Sequence, residues 1–277
     1  MIGPATPADH SVGLRDYSNI KTVILAGGKG VRLDAETIDI PKPLVTIGER
    51  PILLHVMDHF YDYGLSDFIV AVGYKGHLIK EYLWRYCFSS STVTFDFHKR
   101  HMECLDKIEP WTITVVDTGL EAGSAARIKR IREYVGKNTF LLSYADVLSN
   151  VNVDALLSFH NKNKALVTMT VVRRPSEYGI AHVESTRVKS FIEKGLQHDT
   201  WINAGIFVLD AAIFEAILEN SVSFEGDVLP QLSHSGKVNA YRHEGFWYSM
   251  ETLKDREFLK QLFIERLKEG GPLPWRI

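Results

Sequence analysis

Strand-length apolar runs alternating with helical spacing constrain this chain most. Val23 to Ala26 reads as a buried strand. Pro51 to Tyr63 carries Ile52, Val56 and Phe60 at helical spacing, with Pro51 suited to the first helical position and Gly64 to the end. Phe68 to Val72 is a second strand, closed by Gly73, and His77 to Phe88 is helical again, with Ile79, Leu83 and Tyr86 on one side. Strand, loop, helix, strand, helix is the sequence mark of a parallel sheet with crossover helices. The 277 residues, 45% hydrophobic and 24% charged, suffice for one large domain with a substantial core. Residues 20–277 are read as that domain. Residues 1–19, which have Pro, Asp, Ser and Gly but no apolar core, are read as an N-terminal extension rather than a secretory signal.

The first strand stops at Gly27-Gly28-Lys29-Gly30. Three glycines in four residues let the backbone turn and approach a ligand with no Cβ in the way. Successive N–H groups in such a turn suit phosphate. Arg32 follows, a permanently charged fork able to clamp phosphate oxygens. Lys42 stands between Pro41 and Pro43, which stiffen the backbone around one point charge. The dinucleotide fingerprint needs a glycine where Leu33 stands, and the phosphate loop of NTPases needs a Gly-Lys-Ser/Thr that is absent.

After the second helix the rhythm breaks. Val93 to Phe97 alternates as a strand, and His98 to Pro110 is a long polar stretch, expected to be functional or an interface. Ile113 to Val116 is a strand. Gly123 to Val135 reads as a helix with Ile128 and Ile131 inward and Arg127, Lys129, Arg130 and Arg132 mostly on its solvated face. Phe140 to Tyr144 is a strand leading into Asp146, and Val153 to His160 a helix. Leu166 to Val172, Tyr178 to Val183, Val188 to Ile192 and Ile202 to Leu209 suggest a mainly antiparallel half. Ala211 to Leu218 and Glu225 to Ser233 are read as helices, Val238 to His243 and Phe246 to Met250 as strands, and Thr252 to Lys268 as a closing helix.

Asp146 at the end of a strand can hold a hard cation, since ligands collect at the carboxyl ends of strands in open α/β sheets. Glu251, after another apolar run, is a second candidate if the fold brings the two close, because Mg²⁺ takes one or two carboxylates plus phosphates and water. Lys194 could neutralise a second phosphate, and Glu193 could accept hydrogen bonds from sugar hydroxyls. The eleven histidines show no zinc spacing, no Gly-x-Ser-x-Gly elbow is present, and Cys87 and Cys104, expected as buried thiols, form no Cys-x-x-Cys. A net charge of −2 argues against nucleic-acid binding through a basic field, and no apolar run is long enough for a membrane span. A cytoplasmic location is the default expectation.

Together the opening turn with Pro41-Lys42-Pro43, Gly73-Tyr74-Lys75-Gly76, Glu109-Pro110-Trp111, Val116-Asp117-Thr118-Gly119, Arg127-Ile128-Lys129-Arg130, Tyr144-x-Asp146, Ile202-Asn203 with Gly205, Gly245-Phe246-Trp247 and Glu251-Thr252-Leu253-Lys254-Asp255 resemble the sugar-1-phosphate nucleotidyltransferase family, and within it the glucose-1-phosphate cytidylyltransferase group. The resemblance covers roughly residues 20 to 265. It implies an α/β fold: a Rossmann-like mixed sheet flanked by helices, with a smaller β-rich sugar-binding part. It implies transfer of CMP from CTP to glucose 1-phosphate or a modified sugar phosphate, with release of pyrophosphate. The alternatives are dTTP, UTP or GTP as donor, or a non-catalytic nucleotide-sugar-binding protein.

By motif position, Leu25, Ala26, Gly27, Gly28, Gly30, Arg32 and Lys42 would bind the nucleotide. Gly179, Glu193, Lys194 and Asn203 would face the sugar phosphate, and Asp146 and Glu251 would hold Mg²⁺. Arg32, Lys42, Asp146 and Lys194 would be the catalytic set. The polar excursion, His98 to Lys107, implies a homo-oligomer. Departures from the family pattern are Ala145 and Val147 for the glycines beside the metal Asp, Glu251 for Asp, Gly195 for Pro, Ala125-Ala126 for Gly-Gly, and Ala204 for Gly.

Overall fold

The structure, a computed structural model, describes residues 17, 19–30, 39–89, 91–104, 109–174, 180–192 and 200–276. Its centre is a sheet of seven strands: β1 (Thr22–Ala26), β2 (Asp67–Val72), β3 (Thr112–Asp117), β4 (Phe140–Tyr144), β5 (Val167–Val172), β6 (Ile202–Leu209) and β7 (Val238–His243). Their order is β7-β5-β6-β4-β1-β2-β3. β1 runs parallel to β2 and β4, β2 to β3, and β5 to β7. Only β6 is reversed within this sheet, antiparallel to β4 and to β5. The expected mainly antiparallel half is present, β5 pairing antiparallel with β6 and Ile180–Glu184 with Arg187–Ile192, and β7 adds one parallel pair, with β5. The carboxyl ends of six strands share one edge, and the reversed strand begins there.

Period-two alternation accounts for the two faces. Ile24 and Ala26 of β1 and Phe68, Val70 and Val72 of β2 join one apolar cluster, while Val23, Ile69 and Ala71 join the other. A parallel sheet needs cover on both faces, and both are covered. The first cluster takes Leu53, Val56, Met57 and Phe60 of helix α1 (Ile52–Tyr61), Leu156 and Leu157 of α4 (Val153–Asn163) and Leu259 of α5 (Leu253–Glu269). The second takes Ile128 of α3 (Ser124–Arg130) with Ile213 and Phe214. Helix α2 (Gly76–Ser89) contributes Ile79 to the first. Each such side chain, fully buried, contributes roughly 1.5–3 kcal/mol.

Several expectations change. Pro51 is not the first helical residue but the extended N-cap of α1, because it pairs with Thr46 in a two-residue hairpin. The polar stretch after His98 contains a strand, His101–Cys104, paired with Val93–Asp96. The helix from Gly123 breaks at Ile131 and restarts as Arg132–Val135. The helix expected over Ala211 to Leu218 is the single turn Ile213–Ala216. That over Glu225 to Ser233 opens with a wide turn, Phe224–Val228, before Leu229–His234. Cys87 is exposed on α2, not buried.

Candidate active site

β1 delivers its last residues to a cavity of about 570 Å³ at the shared carboxyl edge. Leu25, Ala26, Gly27, Gly28 and Gly30 line it from one side. Gly30 is left-handed (φ 64°), and a Cβ on Gly28 would meet only open space, so the turn presents bare main chain. Lys42 lines the cavity from a single tight turn, Lys42–Leu44. Pro41 enters that turn extended, and Leu44 N–H donates to Pro41 O at 2.8 Å.

Asp146 lines the same cavity just past β4, and its carboxylate forms an ion pair with Lys42. Asp146 O accepts from Met250 N–H at 2.9 Å, so Glu251 follows on backbone laid directly beside Asp146. This register comes from a short antiparallel pair in which Val147 faces Ser249. Glu251 does not itself line the cavity; its N–H donates to Asp255, which closes a capping box with Thr252 at the start of α5.

Asn203, at the start of reversed β6, lines the far side. Its amide donates to the Tyr144 hydroxyl at 3.3 Å and its carbonyl oxygen accepts from Gly205 N–H at 2.8 Å. Gly205 is left-handed (φ 72°), and a Cβ there would strike the Tyr144 ring. Tyr144 OH donates to Glu225, whose other oxygen accepts from Ser124 Oγ at 2.6 Å and Ser223 Oγ at 3.2 Å. Burial, and then the neighbouring Glu225 charge, push the Tyr144 phenol far above its ordinary range, so it stays a neutral donor.

Of the residues expected from sequence, Leu25, Ala26, Gly27, Gly28, Gly30, Lys42, Asp146 and Asn203 come together here. Arg32, Gly179, Glu193 and Lys194 lie outside the described residues. Most of the substituted glycines face the interior: Ala145, Val147, Ala125 and Ala204 are all buried, the last two fully.

Arg127 was expected on a solvated helix face and is instead 5% exposed, with its guanidinium in the cavity wall. It donates to the carbonyls of Gly27 (2.9 Å), Val72 (3.2 Å) and Gly119 (3.0 Å) and to the Thr118 hydroxyl (2.6 Å). Burial lowers its affinity for the proton, helped by nearby Arg130. Helical spacing contained the signal: Arg127 is four residues before inward Ile131. Tyr144, Ser124 and Glu225 were also missed as cavity residues; Glu225 arrives from a distant turn that no local pattern connects to the site.

The glycine turn offers amides, Lys42 a cation, and Asp146 with neighbouring Glu251 hard oxygen donors, a set suited to phosphates. A family model described as nucleotidyl transferase matches residues 21–255. The chain is 39% identical over 259 residues, 93% of its own length and 99% of the relative's, to a glucose-1-phosphate cytidylyltransferase of Salmonella typhi. It is 38% identical to a probable glucose-1-phosphate cytidylyltransferase of Bacillus subtilis, covering 93% of this chain and all of that one. Among solved structures it resembles HddC from Yersinia pseudotuberculosis, with a TM-score of 0.66 at 24% identity, over 88% of this chain and 99% of that one. That likeness speaks for the fold alone. The chain belongs to the nucleotidyl transferase family.

Proposed function

We propose that this protein transfers CMP from CTP to a sugar 1-phosphate, glucose 1-phosphate or a modified form of it, yielding a CDP-sugar and pyrophosphate. The observation that carries the reading is the Lys42–Asp146 pair set against the bare Gly27–Gly28 main chain in one cavity. A phosphate oxygen of the sugar phosphate attacks the α-phosphorus in line, a new P–O bond forms, and the α–β bridging bond breaks with its electrons going to pyrophosphate. Such a transfer needs positioning and charge neutralisation more than covalent help. The glycine amides hold the triphosphate, and Lys42 neutralises oxygens at the reacting centre. By motif position Arg32 steadies the leaving pyrophosphate, and Lys194, Glu193, Gly179 and Asn203 hold the sugar phosphate.

Asp146 and Glu251 are the residues that would hold Mg²⁺. Among the described residues no group of three or more His, Cys, Asp or Glu could cage a metal ion. One or two carboxylates suit a cation bound largely through substrate phosphates, which is the habit of Mg²⁺. When bound, the ion neutralises charge on the phosphates. Residues 20–277 would form one catalytic domain. Phe95 and Phe97, 59% and 89% exposed, and Met102, 41% exposed, sit on or beside the Val93–Asp96 hairpin. This apolar surface supports a homo-oligomer through that excursion. Phosphorylated substrates do not cross membranes, which supports a cytoplasmic location.

The second reading, another nucleotide as donor, is favoured by matches such as the mannose-1-phosphate guanyltransferase of Yarrowia lipolytica, 30% identical over 91% of this chain and 66% of that one. Pyrophosphate release with CTP, UTP, dTTP and GTP against glucose 1-phosphate tests both. CTP at least tenfold ahead supports the first reading; equal rates with all four defeat it.

A further inference from the structure

The carboxyl ends of β5 and β7 open on a second cavity, of about 300 Å³, walled by Arg173, Arg174, His243, Glu244, Trp247 and Tyr248. It lies across the entrance of β6 from the cavity of Lys42 and Asp146. Asn203 lines the first cavity, and the carbonyl of the next residue, Ala204, accepts from the Trp247 indole N–H at 2.8 Å. β6 is flanked by β4 on one side and β5 on the other. Neighbouring strands lie about 4.8 Å apart, so the ends of β4 and β5 stand about 10 Å from each other. A hexose carrying groups at both ends bridges such a span.

Three arginines converge on this corner. The guanidiniums of Arg173 and Arg242 lie 4.9 and 5.3 Å from the Trp201 ring centroid, and that of Arg174 lies 5.5 Å from the Tyr248 centroid. A guanidinium held over a ring still presents N–H donors at its edge, where the fork can meet an oxyanion. Arg173 does this already: it donates to the Glu244 carboxylate at 3.0 Å, with the two side chains 32% and 70% exposed. An ion pair so open to water is weak, so a ligand anion can take the place of Glu244. Arg174 stands 3.9 Å from Asp255, a carboxylate committed to the cap of α5 and to the Tyr248 hydroxyl. Arg242 makes no ion pair among the described residues. Cations gathered this closely repel one another, and a bound anion relieves that repulsion. Trp247 and Tyr248 add flat apolar surface for the ring that carries the anion.

We propose that this cavity receives a second acidic group on the acceptor: the substrate is a sugar 1-phosphate that bears a carboxylate or a further phosphate remote from its anomeric phosphate, held by Arg173 and Arg174. The proposal rests on the transfer to a sugar 1-phosphate described above and narrows the modified sugar to one chemical class. Glu244 occupies the position of that group until the acceptor displaces it. Gly179, assigned to the sugar phosphate by motif position, follows Arg174 by only five residues.

The test compares glucose 1-phosphate, glucuronic acid 1-phosphate and glucose 1,6-bisphosphate as acceptors for CTP, by initial rates of pyrophosphate release. One of the two acids should exceed glucose 1-phosphate about tenfold or more in kcat/KM, mainly through KM, the scale of a hydrogen bond to a charged group. The better acid identifies the group as carboxylate or phosphate. Arg173→Gln and Arg174→Gln should each cut the ratio of acidic to plain acceptor severalfold, and Glu244→Gln should raise it, because the competing carboxylate is gone. A merely structural role would lower all three acceptors together and leave the ratio where it was. Wild type that prefers neither acid overturns the proposal, as does a ratio unmoved in both arginine variants. Titration calorimetry with the same three compounds separates this from the reaction itself. If no acceptor yields pyrophosphate, the reaction is refuted; tighter binding of an acid by wild type but not by Arg173→Gln then still upholds the cavity, and equal binding of all three overturns it.

Discussion

Lys42 and Asp146, 104 positions apart in the chain, meet as an ion pair whose side chains are 17% and 22% exposed. The three crossovers β1–β2, β2–β3 and β3–β4 bring them together. Each charge neutralises the other, and in the proposed mechanism substrate phosphates would compete for the ammonium. Lys42→Ala and Asp146→Asn should each lower turnover about 10²-fold or more at saturating Mg²⁺, by loss of charge stabilisation at reacting oxygens. Single-turnover pyrophosphate release measures this, and near-normal rates in both variants would remove the pair from the mechanism.

The same pair makes a prediction about cation binding without turnover. The ammonium of Lys42 occupies the oxygen that a metal would need. Lys42→Met should therefore bind Mn²⁺ at least severalfold more tightly than wild type in the absence of nucleotide, since one unit charge about 4 Å away is worth about 1 kcal/mol in water and about 4 kcal/mol at an effective dielectric near 20. Electron paramagnetic resonance titration of free Mn²⁺ reads this directly. Unchanged affinity would mean that Lys42 and the cation do not share Asp146.

Tyr144 links both halves of the cavity through Glu225 and Asn203. Tyr144→Phe removes one donor from a carboxylate that keeps two seryl partners, so the fold should survive. Losing a hydrogen bond to a charged group costs about 1.5–3 kcal/mol. The expected result is a KM for sugar phosphate raised at least severalfold, because Asn203 loses its support, with CTP binding little changed. A variant with wild-type KM for the acceptor would show that the phenol is only structural.

Acid should destabilise the protein before its carboxylates titrate. Burial holds His55 and His59 down to about 4 from an ordinary 6.5. Each folded-state value lies below the unfolded one, so the unfolded chain binds more protons between the two. Stability is complete above pH 6.5 and falls as the pH drops toward 4, by up to roughly 3 kcal/mol for each histidine. Urea midpoints at pH 7, 5.5 and 4.5 should decline in that order. His59 makes no hydrogen bond of full geometry on either ring nitrogen among the described residues, the Trp275 and Val151 main chain giving it only weak polar contact. His59→Leu should accordingly leave stability at pH 7 unchanged or raised, and flatten the decline. A steep loss at pH 7 would show that the ring has a strong polar partner after all.

Much of this architecture could be read from residue order. β1, β2 and β4 are short apolar runs ended by glycine or by Tyr144-Ala145, and their two-faced burial follows from strict alternation. The glycine turn, Lys42 and Asp146 were found because unusual residue types stand next to strand ends. Arg127 was misread because a charged residue on a helix is most often solvated, and the carbonyls that hold it come from three separate segments. Glu225 escaped because its partners, Tyr144 and Ser124, lie 81 and 101 residues away. The break at Ile131 and the strand His101–Cys104 depend on packing and pairing that no local window holds.

The reversal of β6 divides the labour of the site. A parallel strand reaches the ligand edge with its last residues, after its length has been committed to the core. β6 instead meets that edge with its first residues, Ile202 and Asn203, and only then descends into the interior. On the proposed reading, acceptor recognition would sit at the entrance of a strand whose anchorage comes later. On that reading, new sugars would be accommodated by rewriting that entrance while the wall of β1, β2 and β3 keeps its register, a built-in route to new products.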